Sequence, residues 1–259
     1  MVGIAESETL VHWLVPLGLI ALRVGIALAS LPAPFGEGSP ITVRAALGVV
    51  IAFALCLPHG EWRSAREWEA IALVRAGFGE ALVGAVIALT VRVTLAAAEV
   101  AGSMMSSAIG LDFATSVDPA FGEESTPPGR LLASLAVLIF FAFEGHHSFL
   151  EALAWSFDKA PPGQGFKAFH ASGVLPLGST LVAHGLRIAS PVVATMFIVQ
   201  VGSALVARAA PRVQLFALTF SFSVAAGLIA LWLAAPSVAT AVGVEIRHLP
   251  AALLKALGG

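Results

Sequence analysis

The sequence predicts an all-α integral membrane protein with about six long hydrophobic helices. Hydrophobic residues make up 58% of the 259-residue chain and charged residues only 12%, whereas soluble domains contain roughly 25% charged residues. Because the outward face of a protein in a bilayer is itself apolar, such scarcity of charge is typical of polytopic membrane proteins. Six apolar stretches also approach the roughly 20 residues that a helix needs to cross about 30 Å of hydrocarbon.

The six stretches run approximately from 9 to 31, 42 to 58, 70 to 98, 130 to 156, 176 to 207 and 212 to 241. The last two contain long segments without charge, Ile188 to Ala207 and Val213 to Val244. Between them, Pro211 and two arginines favour a turn at the headgroups, which predicts a C-terminal helical hairpin. The first stretch follows Glu6 and Glu8 rather than basic residues, so we expect a retained helix and not a cleaved secretory signal.

Charged side chains lie inside the first four stretches: Arg23, Arg44, Arg75, Glu80, Arg92 and Glu144. Facing lipid would cost each of them several kcal/mol, so we expect them to face protein, water or headgroups. Helices that pack against partner subunits, with part of their length outside the bilayer, would carry such charges at less cost. The positive charges of alternate loops do not decide the membrane orientation.

Several classes of function are excluded or disfavoured. The net charge is −2 and the basic residues are scattered, so the basic patch of a nucleic-acid-binding protein is missing. The single cysteine, Cys56, allows neither an intrachain disulfide nor a thiolate zinc site. The sequence has no nucleophile elbow, phosphate-binding loop, His-Glu-x-x-His motif or Cys-x-x-Cys pair, so we predict neither an enzyme nor a bound cofactor.

One carboxylate and two imidazoles occur together at Glu144, His146 and His147, which raises the alternatives of a metal site or a proton relay. Adjacent histidines point about 100° apart on a helix, so they do not form a shared ligand face. We therefore expect a helix terminus near the headgroups and no metal.

A segment rich in glycine and proline separates the third and fourth stretches and predicts a loop over residues 110–129. Irregular backbone at membrane depth is tolerated only when it is buried in protein or lines a water-filled cavity. Phe113, with Leu111 and Val117 beside it, could therefore close an aqueous path as a hydrophobic gate, or could pack on its own helices. Met104 and Met105 could form a flexible gasket before it, with ordinary helix packing as the alternative.

Three segments in order resemble the FliR family, which includes the SctT subunits of virulence injectisomes. They are Ala101-Gly102 leading into Gly110-Leu-Asp-Phe-Ala-Thr-Ser-Val-Asp-Pro119, then Leu138-Ile-Phe-Phe-Ala-Phe-Glu-Gly-His-His147 through Pro162-Gly163, and finally Leu205-Val-Ala-Arg-Ala-Ala-Pro-Arg-Val-Gln-Leu-Phe216. Weaker similarity occurs at Arg23 with Pro32 and at Glu80 with Gly84. The form Val-Asp-Pro favours the flagellar branch of the family over the injectisome branch.

The resemblance implies a subunit of the flagellar type III export gate, in the bacterial inner membrane at the flagellar basal body. It implies assembly with FliP and FliQ and then FlhB, with FlhA nearby, into a channel for unfolded export substrates. Residues 1–170 would be FliP-like, 176–241 a FliQ-like hairpin and 242–259 a C-terminal tail. The charges at Arg23, Glu80, Arg92 and Glu144 would then contact neighbouring subunits or the channel rather than lipid.

The resemblance further implies that the loop plugs the closed channel, through Gly110, Leu111, Phe113, Val117, Asp118 and Pro119. Ser116 stands where some relatives have a second aromatic, and Ser103 where an acidic residue commonly follows Ala-Gly, so the seal is expected to be looser or completed by partner residues. Two other functions stay open: an injectisome export-gate subunit, and a small-solute transporter with Arg23, Arg92 and Glu144 as binding groups.

Overall fold

The computed structural model describes residues 2–32, 40–57, 69–111, 126–168, 171–209 and 215–257, and these residues contain helices and turns but no strand. The predicted all-α class is confirmed. The helices are α1 (Val2–Leu28), α2 (Ile41–Cys56), α3 (Ala70–Ile109), α4 (Pro127–Ala142), α5 (Gly145–Lys159), α6 (Gly165–Ala168), α7 (Ala171–Val174), α8 (Leu177–Ala209), α9 (Leu215–Arg247) and α10 (Leu249–Ala256).

Three helices of the described chain are long and apolar enough to cross a membrane: Ala70–Ile109, Leu177–Val206 and Phe220–Ala256. A fourth span results if α4 and α5 are counted together across their break, and Trp13–Leu28 and Ile41–Cys56 are shorter apolar helices. The described parts of all six predicted stretches are mainly helical, and among the described residues three helices, or four with the bent pair, have the length and composition of a membrane span.

The fourth predicted stretch is not one helix, which corrects the expectation of a continuous span from 130 to 156. Phe143 ends α4 with its N–H bonded to the Ile139 carbonyl, and Glu144 takes a left-handed conformation with φ of 55°. A residue with positive φ cannot continue a right-handed helix, which needs φ of about −63° at every residue. For a non-glycine residue this conformation also costs roughly 1–2 kcal/mol, because its Cβ crowds the following carbonyl oxygen. The chain therefore restarts as a new helix at Gly145.

Helix α3 is much longer than a bilayer requires. Its 40 residues correspond to about 60 Å at about 1.5 Å per residue, twice the roughly 30 Å of the hydrocarbon core. The apolar pattern had predicted its end near residue 98, and the helix instead continues to Ile109. At the tilts usual for membrane helices, part of α3 therefore lies outside the hydrocarbon. Charged side chains on that part can lie in water, among headgroups or against protein.

One compact unit comprises Met1–Arg92, Glu144–Leu177 and His248–Gly259. Within it α1 packs on α2, and α10 packs on α5 and α7. Gly84 lets α3 approach α1 closely, because a Cβ atom there would lie 2.7 Å from the Arg23 carbonyl oxygen. Gly173 does the same for α7 and α10, since its Cβ would lie 2.5 Å from the Ala256 carbonyl oxygen.

The other unit comprises Val93–Phe143 and Gly178–Arg247. Glu245, near the end of α9, is 4% exposed and contacts two residues near the start of α8: its Oε2 lies 2.9 Å from His184 Nδ1 and its Oε1 3.5 Å from Arg187 Nη1. Only five residues separate the opposite ends of these helices, so the two run antiparallel. This confirms the C-terminal hairpin, whose connecting residues 210–214 lie outside the described residues.

Large apolar side chains remain on the outside of the long helices. Those at least two thirds exposed include Ile71, Val74, Phe197, Ile198, Trp232 and Leu233. Soluble monomers rarely expose apolar surface so widely, and such surface marks contact with lipid or with other proteins.

Candidate functional site

Helix α3 ends in a defined cap immediately before the predicted plug loop. Gly110 has φ of +91°, a left-handed conformation that glycine adopts without a Cβ penalty. The N–H groups of Gly110 and Leu111 both donate to the Ser106 carbonyl oxygen, at 2.9 and 3.0 Å. The bond from Leu111 back five residues is typical of glycine-terminated helices. Helix α3 therefore ends directly before the glycine at which the predicted loop starts.

The helix after the loop also begins with a cap. Thr126 precedes α4, and its Oγ1 accepts a hydrogen bond from the Gly129 N–H at 3.3 Å. Pro127 and Pro128 occupy the first positions of α4, where a missing N–H costs nothing. Helix α4 therefore begins at Pro127, within the range 110–129 that was predicted as a loop.

Residues 112–125 lie outside the described part of the structure. Four of the predicted plug residues fall there: Phe113, Val117, Asp118 and Pro119. The two others, Gly110 and Leu111, form the end of the α3 cap and are partly exposed. Just before them Met105 is fully buried within its unit, whereas Met104 is half-buried. The plug and the gasket both stay predictions.

The two helices that flank the loop touch through their backbones. A Cβ atom on Gly102 would lie 2.4 Å from the Gly129 Cα and 2.6 Å from the Gly129 nitrogen. Only glycine at Gly102 allows α3 and α4 to come this close. The helices on either side of the predicted plug are thus in backbone contact at Gly102 and Gly129.

Side chains of the hairpin hold the last turn of α3. Gln200 of α8 donates from Nε2 to the Ala108 carbonyl at 2.8 Å, and Ser223 of α9 donates from Oγ to the Ile109 carbonyl at 3.0 Å. The last four carbonyls of a helix lack intrahelical partners, so these bonds satisfy two of them. Gly227 packs against Ile109, where a Cβ atom would meet the Ile109 Cγ2 at 2.5 Å. We call Gln200, Ser223 and Gly227 the α3 clamp.

A buried ion pair lies in the other unit, between Arg23 of α1 and Glu80 of α3. Both side chains are 0% exposed, and Arg23 Nε lies 2.6 Å from Glu80 Oε2. This corrects the expectation that these two charges contact neighbouring subunits or the channel. The close approach of α1 and α3 at Gly84 brings the two side chains together although 57 residues separate them in sequence.

Groups from the α5 region complete the hydrogen bonding of this pair. Arg23 Nη1 donates to the Ser156 carbonyl at 2.9 Å and to its Oγ at 3.0 Å, and Nη2 donates to the Ala160 carbonyl at 3.0 Å. The guanidinium lies 4.0 Å from the centre of the Phe157 ring, and Glu80 Oε1 accepts the Gly163 N–H at 2.8 Å. We call this set the Arg23 cluster.

Arg92 and Glu144, the other two charged residues expected to contact subunits or the channel, are on the surface. Arg92 is exposed on α3. The Glu144 side chain is 71% exposed at the break between α4 and α5, with Oε2 3.1 Å from His147 Nδ1. Glu144 therefore lies at a break between two helices, as expected for a helix terminus, and its place relative to the membrane stays a prediction. The described residues contain no group of three His, Cys, Asp or Glu side chains that could hold a metal ion.

Residues 14–249 match the bacterial export proteins, family 1. The chain belongs to this family. The matched range includes the Arg23 cluster, the capped end of α3 and the α3 clamp. Together with the long apolar helices, membership of this export family indicates a membrane location.

Individual members of the family are similar over different lengths. The chain is 29% identical over 159 residues to the protein named flagellar biosynthetic protein FliR of Bacillus subtilis, a match covering 60% of this chain and 61% of that protein. The protein of the same name in Escherichia coli is 27% identical over 230 residues, 86% of this chain and 85% of the relative. Yop proteins translocation protein T of Yersinia pestis is 28% identical over 142 residues, 54% of each chain. The resemblance stated from the sequence is confirmed.

Two features of this export protein were missed from the sequence. The pairing of Arg23 with Glu80 had a usable signal, because opposite charges in two apolar helices are expected to pair with each other. The contacts of Gln200 and Ser223 with α3 had a weaker signal in the sequence. Gln200 and Ser223 are two of several polar residues in apolar helices, and sequence alone does not say whether such a residue binds its own helix, another helix or water.

The Arg23 cluster generates a stability prediction. Replacing Arg23 with Met leaves the Glu80 carboxylate buried without its cation, so the free energy of unfolding should fall by roughly 3–5 kcal/mol. Unfolding of the purified chain in detergent, followed by circular dichroism against denaturant, measures this change.

Arg44→Met provides the matched control. Arg44 is half-buried near the start of α2 and forms no ion pair with another described residue. Its loss should alter stability by no more than about 0.5 kcal/mol. Equal destabilisation by the two variants would contradict a special role for the Arg23 cluster.

Proposed function

We propose that this protein is a non-enzymatic subunit of the flagellar type III export gate, in the bacterial inner membrane at the flagellar basal body. It assembles with FliP, FliQ and FlhB, with FlhA nearby, around a channel for unfolded substrates. The match to the bacterial export proteins over residues 14–249 carries this proposal. Relatives named flagellar biosynthetic protein FliR support its flagellar part.

In the proposed mechanism the loop between α3 and α4 plugs the closed channel. Phe113 and its apolar neighbours exclude water, and each buried aromatic contributes roughly 1.5–3 kcal/mol to closure. The channel opens when substrate and neighbouring subunits bind the open state more tightly. The capped ends at Gly110 and Thr126 support this mechanism, because they fix where the loop leaves α3 and enters α4. The α3 clamp supports it as well, since it holds the last turn before the loop.

The proposal divides the chain into FliP-like residues 1–170, a FliQ-like hairpin at 176–241 and a tail at 242–259. The antiparallel pair of α8 and α9 supports the hairpin. The long exposed rows of apolar side chains on these helices offer surface for neighbouring subunits as well as lipid.

An injectisome subunit is the second candidate, because the Yersinia pestis relative is similar as well. The flagellar assignment is favoured because the Escherichia coli FliR match covers 86% of this chain against 54% for that relative. A small-solute transporter is disfavoured, since Arg23, one of its three binding groups, has its hydrogen bonds taken by Glu80, Ser156 and Ala160.

Purification of the tagged chain from its native membrane tests the assembly. FliP and FliQ should co-purify in fixed ratio through size-exclusion chromatography in mild detergent. An unrelated tagged membrane protein, expressed at the same level, controls for non-specific capture. Recovery of the chain alone, together with saturable solute uptake by liposomes that contain only this chain, would favour the transporter.

Removal of the loop tests the plug. Deleting residues 112–118, or replacing Phe113 with Ala, should make the assembled gate permeable to small ions, because the apolar seal is lost. Conductance across the membrane of cells without active export measures the leak.

Trp232→Ala serves as the control, since this aromatic is 75% exposed on α9 and lies more than two helical turns beyond the clamp residue Ser223. The double variant Gln200→Leu with Ser223→Ala should produce a smaller leak by releasing the last turn of α3. Unchanged conductance in both the deletion and Phe113→Ala would refute the plug, whereas a leak in these two but not in the double variant would refute only the clamp's part in it.

A further inference from the structure

A groove lies beside the first turns of α3, and its walls are almost entirely apolar. It is lined by Ala70, Ile71, Val74, Arg75, Phe78 and Phe166. Its volume of about 520 Å³ falls within the roughly 300–1,000 Å³ of ligand sites. The wall residues are open to ligand, with Ile71 84% and Val74 74% exposed.

Close contacts within one unit build this groove. The Phe78 and Phe166 rings pack with centroids 5.8 Å apart. Below them α6 meets α3 through two glycines, since a Cβ atom on Gly165 would lie 2.4 Å from the Gly79 carbonyl carbon. The helix backbones therefore cannot move closer, and the aromatic pair sets the shape of the wall.

Arg75 provides the single charge in the lining. Its side chain is exposed and forms no hydrogen bond or ion pair with any other residue that the structure describes. It lies five residues after the start of α3, about 7.5 Å along a helix that is long enough to span a membrane. An arginine near the end of such a helix extends its guanidinium towards the headgroup layer, and its planar fork matches phosphate oxygens.

We propose that this groove binds an anionic phospholipid, with its phosphate on Arg75 and one acyl chain along Ile71, Val74, Phe78 and Phe166. Charge complementarity selects this ligand, because the lining combines one cation with side chains that have no hydrogen-bonding groups. A peptide in the same place would leave its backbone N–H and C=O groups unpaired against that wall, which costs several kcal/mol per group in an apolar setting. A phospholipid has charge at one end and none along its chain. The inference depends on the membrane location and not on the export function.

Native mass spectrometry of the full chain in detergent tests the site. After delipidation, the protein is titrated with phosphatidylglycerol and, separately, with phosphatidylcholine of the same acyl chains. The protein should prefer phosphatidylglycerol. Arg75→Ala should weaken phosphatidylglycerol binding about five-fold, equivalent to about 1 kcal/mol per basic residue near a membrane surface, and Arg75→Lys should retain most of it.

Arg44→Ala is the matched control, because Arg44 also lies near the start of an apolar helix, forms no ion pair with a described residue and does not line the groove. It should leave binding unchanged. Phe78→Ala, which shortens the apolar wall, should weaken the binding of both lipids. Inorganic phosphate at millimolar concentration should not displace the lipid, which separates a lipid site from a simple anion site.

Three results would overturn the proposal: equal losses in Arg44→Ala and Arg75→Ala, equal affinity for the two lipids, or no lipid adduct on the unaltered chain. Circular dichroism and size-exclusion profiles of each variant confirm folding. Because Arg75 is exposed, its replacement removes no buried contact, and a folding defect confined to Arg75→Ala would also contradict the assignment of this residue to a ligand.

Discussion

Arg23 and Glu80 have opposite charges in apolar helices, and their attraction offsets the cost of burying each of them. The effective cost of burying a single ion is several kcal/mol, and attraction offsets it only where geometry is good and the remaining donors and acceptors are satisfied. Here both side chains are 0% exposed, and four hydrogen bonds from Arg23 reach Glu80, Ser156 and Ala160. The pair therefore constrains α1, α3 and the α5 region to one arrangement, and Gly84 is the residue whose small size permits it.

Helix α3 contributes residues to both of the contact sets described above. It contributes Glu80 to the first cluster, and further along the same helix it contributes Ile109, whose carbonyl is held by Ser223. The ion pair at Glu80 and the hydrogen bond at Ile109 hold the helix, and Gly84 and Gly227 permit close packing beside them. Such hydrogen bonds and small residues are the usual means of helix association in membranes. The hairpin therefore fixes the position of the last turn of α3, directly before the proposed plug.

Much of the fold followed from the sequence, because apolar length and glycine or proline position are local signals. Gly110 marked the start of the predicted loop, although the apolar pattern ended the third stretch near residue 98 and α3 continues to Ile109. The uncharged segments after Ile188 marked α8 and α9. A helix terminus was expected at residues 144–147, but the fourth apolar stretch was still drawn unbroken across it; the left-handed residue is Glu144 and not the neighbouring Gly145. The partners of Arg23 were missed because residues 57 and 133 positions away meet only after packing.

The coupling free energy between Arg23 and Glu80 tests this account most directly. It follows from the unfolding of Arg23→Met, Glu80→Leu and the double variant in detergent, combined as a double-mutant cycle. The account predicts a double variant more stable than either single one, with a coupling of about 2 kcal/mol or more. Additive effects, with a coupling below about 0.5 kcal/mol, would show that the two charges do not depend on each other and would contradict it.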